Sequence, residues 1–271
     1  MNNQSVKKKL PPLVVSITSG KGGVGKTNIC VNLGVEFVAR GQRTLIVDGD
    51  LGLANVDILF NIRPQYNFSH IVSGEKRIEE VLTKGPGGVM ILPASSGIAR
   101  MADLTPDDQA QVLTQLETLS DKFDVILIDT AAGISSNVLY FASAASYIIV
   151  IATPEPTSLA DAYAVIKVLN MQYRVNRFQM IINNVLNRET AVNVYETLCD
   201  VADSFIDVSI DFLGYLPKDE AVPNSVNAQR PFVEKFPSSK VSLSLKKVAD
   251  EVLKKRDNVP EHHFLWNRLT S

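Results

Sequence analysis

Short, nearly continuous apolar runs alternate along this chain with longer stretches in which apolar residues recur every three or four positions. Runs of the first kind, rich in Val and Ile, suit strands buried on both faces, and stretches of the second kind suit amphipathic helices. Strands are expected at Leu13 to Thr18, Arg43 to Val47, Val89 to Leu92, Val125 to Ile128, Tyr147 to Ala152, Gln179 to Asn183 and Phe212 to Tyr215. Helices are expected at Lys26 to Arg40, Pro106 to Lys122, Ser158 to Met171, Thr190 to Ser204 and Ser239 to Lys255. This order predicts an α/β fold, a doubly wound, mostly parallel sheet with helices on both faces. Right-handed crossovers would gather the functional loops at the C-terminal ends of the strands.

A length of 271 residues suits one large α/β domain. It is expected over residues 13–256, between a flexible N-terminal segment, 1–12, and a C-terminal tail, 257–271. With 27 basic against 29 acidic residues the formal charge is −2, so nothing global draws the chain to nucleic acid or anionic lipid. Cys30 and Cys199 lie far apart and form no C-x-x-C pair, which excludes a zinc knuckle and points to buried thiols in a reducing compartment. Lys7 to Lys9 and the short β-branched run that follows resemble a signal peptide only superficially, and no stretch reaches the ~20 apolar residues of a spanning helix. A cytoplasmic protein is expected.

Between the first strand and the first helix stands Gly20-Lys21-Gly22-Gly23-Val24-Gly25-Lys26-Thr27, a G-x-x-x-x-G-K-[ST] phosphate loop in the context that motif needs. Glycines let the backbone wrap tightly and aim N–H groups at phosphates, helped by the positive end of the helix. Lys26 is expected to neutralise the β and γ phosphates, and the Thr27 hydroxyl to meet Mg²⁺, a hard cation that prefers oxygen. ATP and Mg²⁺ are therefore the expected cofactors. Asp48-Gly49-Asp50 closes the second strand, where a carboxylate can orient an attacking water and accept its proton. Phe123 to Asp129 is an apolar strand ending in a carboxylate, the arrangement that holds Mg²⁺ through water.

Lys21 exceeds the basic pattern. K-G-G-V-G-K-T closely resembles the deviant Walker A box of the ParA/MinD ATPases, and the resemblance runs from Val14 to about Val252. It implies a MinD-like P-loop NTPase fold and an ATP-bound homodimer in which Lys21 reaches the opposite subunit's nucleotide. It also implies catalytic roles for Asp50, Lys21 and Lys26, with Asp50 activating water. Thr27, Asp48 and Asp129 would serve the metal, Asp48 and Asp129 through water. Gly20 to Thr27 with Asn28 would hold the nucleotide. Thr130 to Gly133 is similar to the second switch, whose glycine N–H senses the γ-phosphate. Glu155 and Asp161 would lie near the dimer interface and the signature lysine, Ser158 would cap a helix, and Asn183, Pro217 and Asp219 would hold adenine. Asn183 could equally be a turn residue.

Three segments, Gly52 to Asp57, Asp129 to Ser135 and Thr153 to Tyr163, look more like the flagellar-number regulators of the FlhG or FleN type than like the division-site branch. That branch implies control of flagellar number and placement through the GTPase FlhF, a flagellar transcription activator or flagellar switch proteins. Residues 1–12 lack the D-Q-A-x-x-L motif with which many such regulators stimulate the GTPase. Phe264, Leu265, Trp266 and Leu269 could anchor the tail at the inner face of the cell membrane, or could pack on the domain. Alternative readings are a MinD-like division-site regulator, a ParA-like DNA-segregation ATPase, which the charge of −2 argues against, a metal-cluster carrier, which needs thiolates at a dimer interface whereas Cys30 falls just inside the first helix and Cys199 in a late one, and a binding module without hydrolysis. No direct nucleic-acid binding is expected, and turnover is expected to be slow.

Overall fold

The computed structural model describes residues 11–256 apart from Leu53, residues 96–100, Ala102 and Asp103. Most of the expected N-terminal segment and the whole 257–271 tail thus lie outside the described residues. Eight strands form one sheet: β1 Leu13–Ser19, β2 Thr44–Gly49, β3 Thr83–Lys84, β4 Met90–Leu92, β5 Val125–Ala132, β6 Tyr147–Ala152, β7 Arg177–Val185 and β8 Ser209–Pro217. Their order is β3-β4-β2-β5-β1-β6-β7-β8. Every pairing is parallel except the short β3–β4 ladder, which is antiparallel. The described helices are α1 Lys26–Ala39, α2 Val56–Phe60, α3 Phe68–Val72, α4 Ile78–Val81, α5 Pro106–Glu117, α6 Ser136–Ser143, α7 Pro156–Tyr173, α8 Arg188–Phe205, α9 Ala221–Asn227, α10 Phe232–Lys235 and α11 Lys240–Arg256.

The strands are apolar throughout because each feeds two cores. Along β5, Val125 and Leu127 join Leu33 and Phe37 of α1 and Leu245 of α11 in one layer. Ile126 and Ile128 join Val112 of α5, Phe141 of α6 and Val165 of α7 in the other. Period-two alternation inside an all-apolar run therefore separates the layers, not core from water. Removing one such side chain, as in Phe37→Ala, is expected to cost ~3–5 kcal/mol.

The expected strands and long helices all appear, with shifted ends. Two differences matter for the site. Helix α7 begins at Pro156, because proline at the first turn needs no N–H partner, so Ser158 lies inside the helix and is not its cap. Its hydroxyl instead accepts the Thr153 N–H at 3.0 Å, tying the end of β6 to the helix. Short α2, α9 and α10, absent from the sequence reading, line or flank the nucleotide end of the sheet, all three carrying side chains into the layer of α1 and α11.

Candidate nucleotide site

The chain leaves β1 towards β2 on one side and later places β6 on the other, so the loop after β1 sits at the topological switch point of the sheet. Gly23 and Gly25 hold φ of +76° and +95°, and Gly25 precedes the first residue of α1. Glycine is demanded twice over by close approach. A Cβ on Gly20 would stand 2.1 Å from the Asp161 carbonyl oxygen of α7, and one on Gly25 2.5 Å from Asn183 Nδ2. The phosphate loop is thus pressed between α7 and the end of β7, and its amides open at the N-terminus of α1.

Beneath the loop lie Lys26, Asp48 and Asp129, all nearly inaccessible. Asp48 and Asp129 are register partners on β2 and β5. Neither Asp129 carboxylate oxygen has a well-formed hydrogen bond. Burial pushes its carboxyl up to about 7, against the downward pull of the Thr27 hydroxyl and the Lys26 ammonium. Burial likewise draws Lys26 below the ordinary lysine range, against Asp129 and Asp50. An unpartnered buried carboxylate is costly unless something completes it. Asp129, the Thr27 hydroxyl and the Lys26 ammonium form the oxygen donor set and counter-charge that a hydrated Mg²⁺ and a polyphosphate require, so the residues present fit Mg²⁺ and ATP.

Lys21 and Glu155 form an ion pair, and Lys21 Nζ also donates to Thr157 Oγ1 at 2.9 Å. Thr157 went unnoticed in the sequence; its place in the first turn of α7 was the available signal. Behind the loop opens a cavity of about 320 Å³ lined by Lys21 to Gly25, Asn28, Glu155, Asn183, Pro217 and Asp219, together with Phe232 and Val241. Gly20, Lys26 and Thr27 are not among its lining residues. Asn183 Nδ2 donates to the Val24 carbonyl at 2.7 Å, so its amide braces the loop. Asp219 accepts the Ala221 N–H at 2.9 Å and the Val241 N–H at 3.2 Å, fastening the starts of α9 and α11. The Gly133 N–H donates to the Ser19 carbonyl at 2.9 Å. Phe232 and Val241 come from helices far along the chain, and no local motif marks them. Cys30, buried in α1, and Cys199, half-buried in α8, are both free thiols, and neither belongs to a cluster of three or more His, Cys, Asp or Glu side chains that could hold a metal ion among the described residues.

A family model described as an AAA domain matches residues 13–187. The antiactivator FleN of Pseudomonas aeruginosa is 41% identical over 242 residues, 89% of this chain and 86% of that protein. The flagellum site-determining protein YlxH of Helicobacter pylori is 29% identical over 242 residues, 89% and 82% of the two chains. Among solved structures, the septum site-determining protein MinD of Pyrococcus horikoshii, complexed with Mg-ADP, superposes with a TM-score of 0.74 at 27% identity, covering 88% of this chain and 95% of that one. The chain belongs to the ParA/MinD-type P-loop ATPases, and FleN is among its relatives.

Proposed function

We propose that this protein is an ATP-dependent dimerising switch that hydrolyses ATP to ADP and regulates flagellar number and placement through protein partners. The observation that carries the chemistry is the buried Asp129 carboxylate, without a well-formed hydrogen bond, set against Lys26 and Thr27. Similarity to FleN and YlxH carries the biological direction and favours it over the division-site reading. When bound, Mg²⁺-ATP supplies the electrophilic phosphorus and the charge around which the residues act. Loop amides and Lys26 hold phosphate charge, Thr27 and Asp129 hold the metal directly and through water, and Asp50 orients the attacking water and takes its proton. The 320 Å³ cavity receives the base and ribose, with Asn183 and the Pro217 backbone at the base edge.

Lys21 acts on the second subunit's nucleotide, which requires it to leave Glu155 and Thr157 on dimerisation. Turnover is slow and stimulated by a partner or membrane, since a switch depends on the lifetime of its ATP state. The GTPase FlhF, a flagellar transcription activator and flagellar switch proteins are the partners to test, and residues 257–271 the segment to test for membrane contact. No helix among the described residues is long and apolar enough to cross a membrane.

Calorimetry with Mg²⁺-ATP, light scattering with a non-hydrolysable analogue, and flagellar counts in a deletion strain test the three parts separately. Heat on titration, doubling of mass and altered flagellar number are expected. Absence of heat would sink the whole reading, whereas a normal ATP dimer from Lys21→Ala would remove only the cross-subunit role.

A further inference from the structure

We propose that Asp48 is a positioning residue that staples the loop carrying Asp50, and that it does not belong to the metal's water shell. This rests on the reading that Asp50 activates water. The two register-paired carboxylates beneath the phosphate loop are used differently. Asp129 has no well-formed hydrogen bond. Asp48 accepts three: from Asp50 N–H at 3.2 Å on Oδ1, and from Asn55 N–H at 3.2 Å and Val56 N–H at 3.3 Å on Oδ2.

One carboxylate thus closes both ends of the loop between β2 and α2. Its far end is also the start of α2, whose own N-cap residue, Asn55, makes no side-chain capping bond. Asp48 supplies the acceptor that a cap would supply, from a buried strand end that cannot drift. A carboxylate offers about four lone-pair sites, and three are occupied here. At the strand end Gly49 lets β2 run close against β5: an added Cβ would meet the Asp129 carbonyl oxygen at 2.8 Å. Asp50 follows directly, with its own N–H in the staple, so its carboxylate is set by a backbone that Asp48 determines.

Three measurements on the full chain test this. In the nucleotide-free protein, amides 50–56 should exchange with deuterium about tenfold or more faster in Asp48→Ala than in wild type, because the bonds that protect the loop are gone. In turnover, kcat should fall on the order of 10²-fold through misplacement of Asp50, with KM and the Mg²⁺ concentration for half-maximal rate within about threefold of wild type. Asp48→Asn, which keeps one acceptor oxygen, should fall between the two, and it carries the test if the alanine variant does not fold. An Mg²⁺ requirement raised about tenfold, with kcat recovered at saturating metal, would put Asp48 in the metal shell and overturn the proposal. Unchanged exchange of amides 50–56 would overturn it as well. Wild-type protein that binds no Mg²⁺-ATP would defeat the underlying reading instead, while the nucleotide-free exchange would still judge the staple.

Discussion

Two aspartates, one just before β5 and one in its C-terminal half, show opposite uses of the same side chain. Asp124, just before the strand, accepts from Arg43 Nε, Nη2 and N–H at 2.8–2.9 Å and from Arg256 Nη2 at 3.0 Å. Hydrogen bonds from Arg43 hold its carboxyl down at about 2. Asp129, in the C-terminal half of the strand, is more deeply buried, has no such partner and is pushed up to about 7. At the N-terminal edge the sheet closes its own electrostatics and secures the last turn of α11. At the C-terminal edge the charge is left open for something that the chain does not contain. The first aspartate serves the fold, and the proposed function places the chemistry at the second.

The comparison breaks most visibly under Asp129→Asn, for which ATP hydrolysis should drop on the order of 10²- to 10³-fold. The thermal stability of the nucleotide-free variant should not fall, because an uncompensated buried carboxylate has been removed. A lowered melting temperature with retained hydrolysis would invert the assignment. Gly20→Ala comes next: its Cβ would overlap the Asp161 carbonyl, forcing α7 away at about 3 kcal/mol, read by urea unfolding.

Asp124→Ala should cost about 1–2 kcal/mol, below what the shift alone suggests because Arg43 is partly exposed, while kcat at moderate temperature stays unchanged. The pH dependence follows in sign. A depressed carboxyl stabilises the fold above its unfolded pKa, and this contribution fades as pH falls from ~4 towards about 2. Urea midpoints for wild type and Asp124→Ala should therefore converge across that window. The smallest effect is expected from Glu155→Gln, which loosens an exposed pair to Lys21 and should change stability by less than ~0.5 kcal/mol.

Much of this was legible before any coordinates. The all-apolar runs revealed the parallel strands, and G-K-G-G-V-G-K-T between strand and helix marked the phosphate loop, because such features depend on local spacing. The short α2, α3 and α4 escaped notice because four or five residues hold too little periodicity to read. Two-residue β3 escaped for the same reason, and its antiparallel pairing follows from a tight return that sequence pattern does not specify. Ser158 was misread because Ser is a favoured cap; the proline two residues earlier already fits the first turn of a helix.

By itself the sequence determined the fold class and marked the glycine-rich loop and the candidate carboxylates, since each is encoded by residue type at fixed spacing. The tertiary structure alone decided which partners those carboxylates meet. Asp48, Asp124 and Asp129 all lie at or near strand ends, and that position in sequence says nothing of whether backbone amides, a guanidinium or no well-formed hydrogen bond will meet the carboxylate. The turn that brings the Asn55 amide back to Asp48 and the packing that brings Arg256 of α11 to Asp124 make that choice.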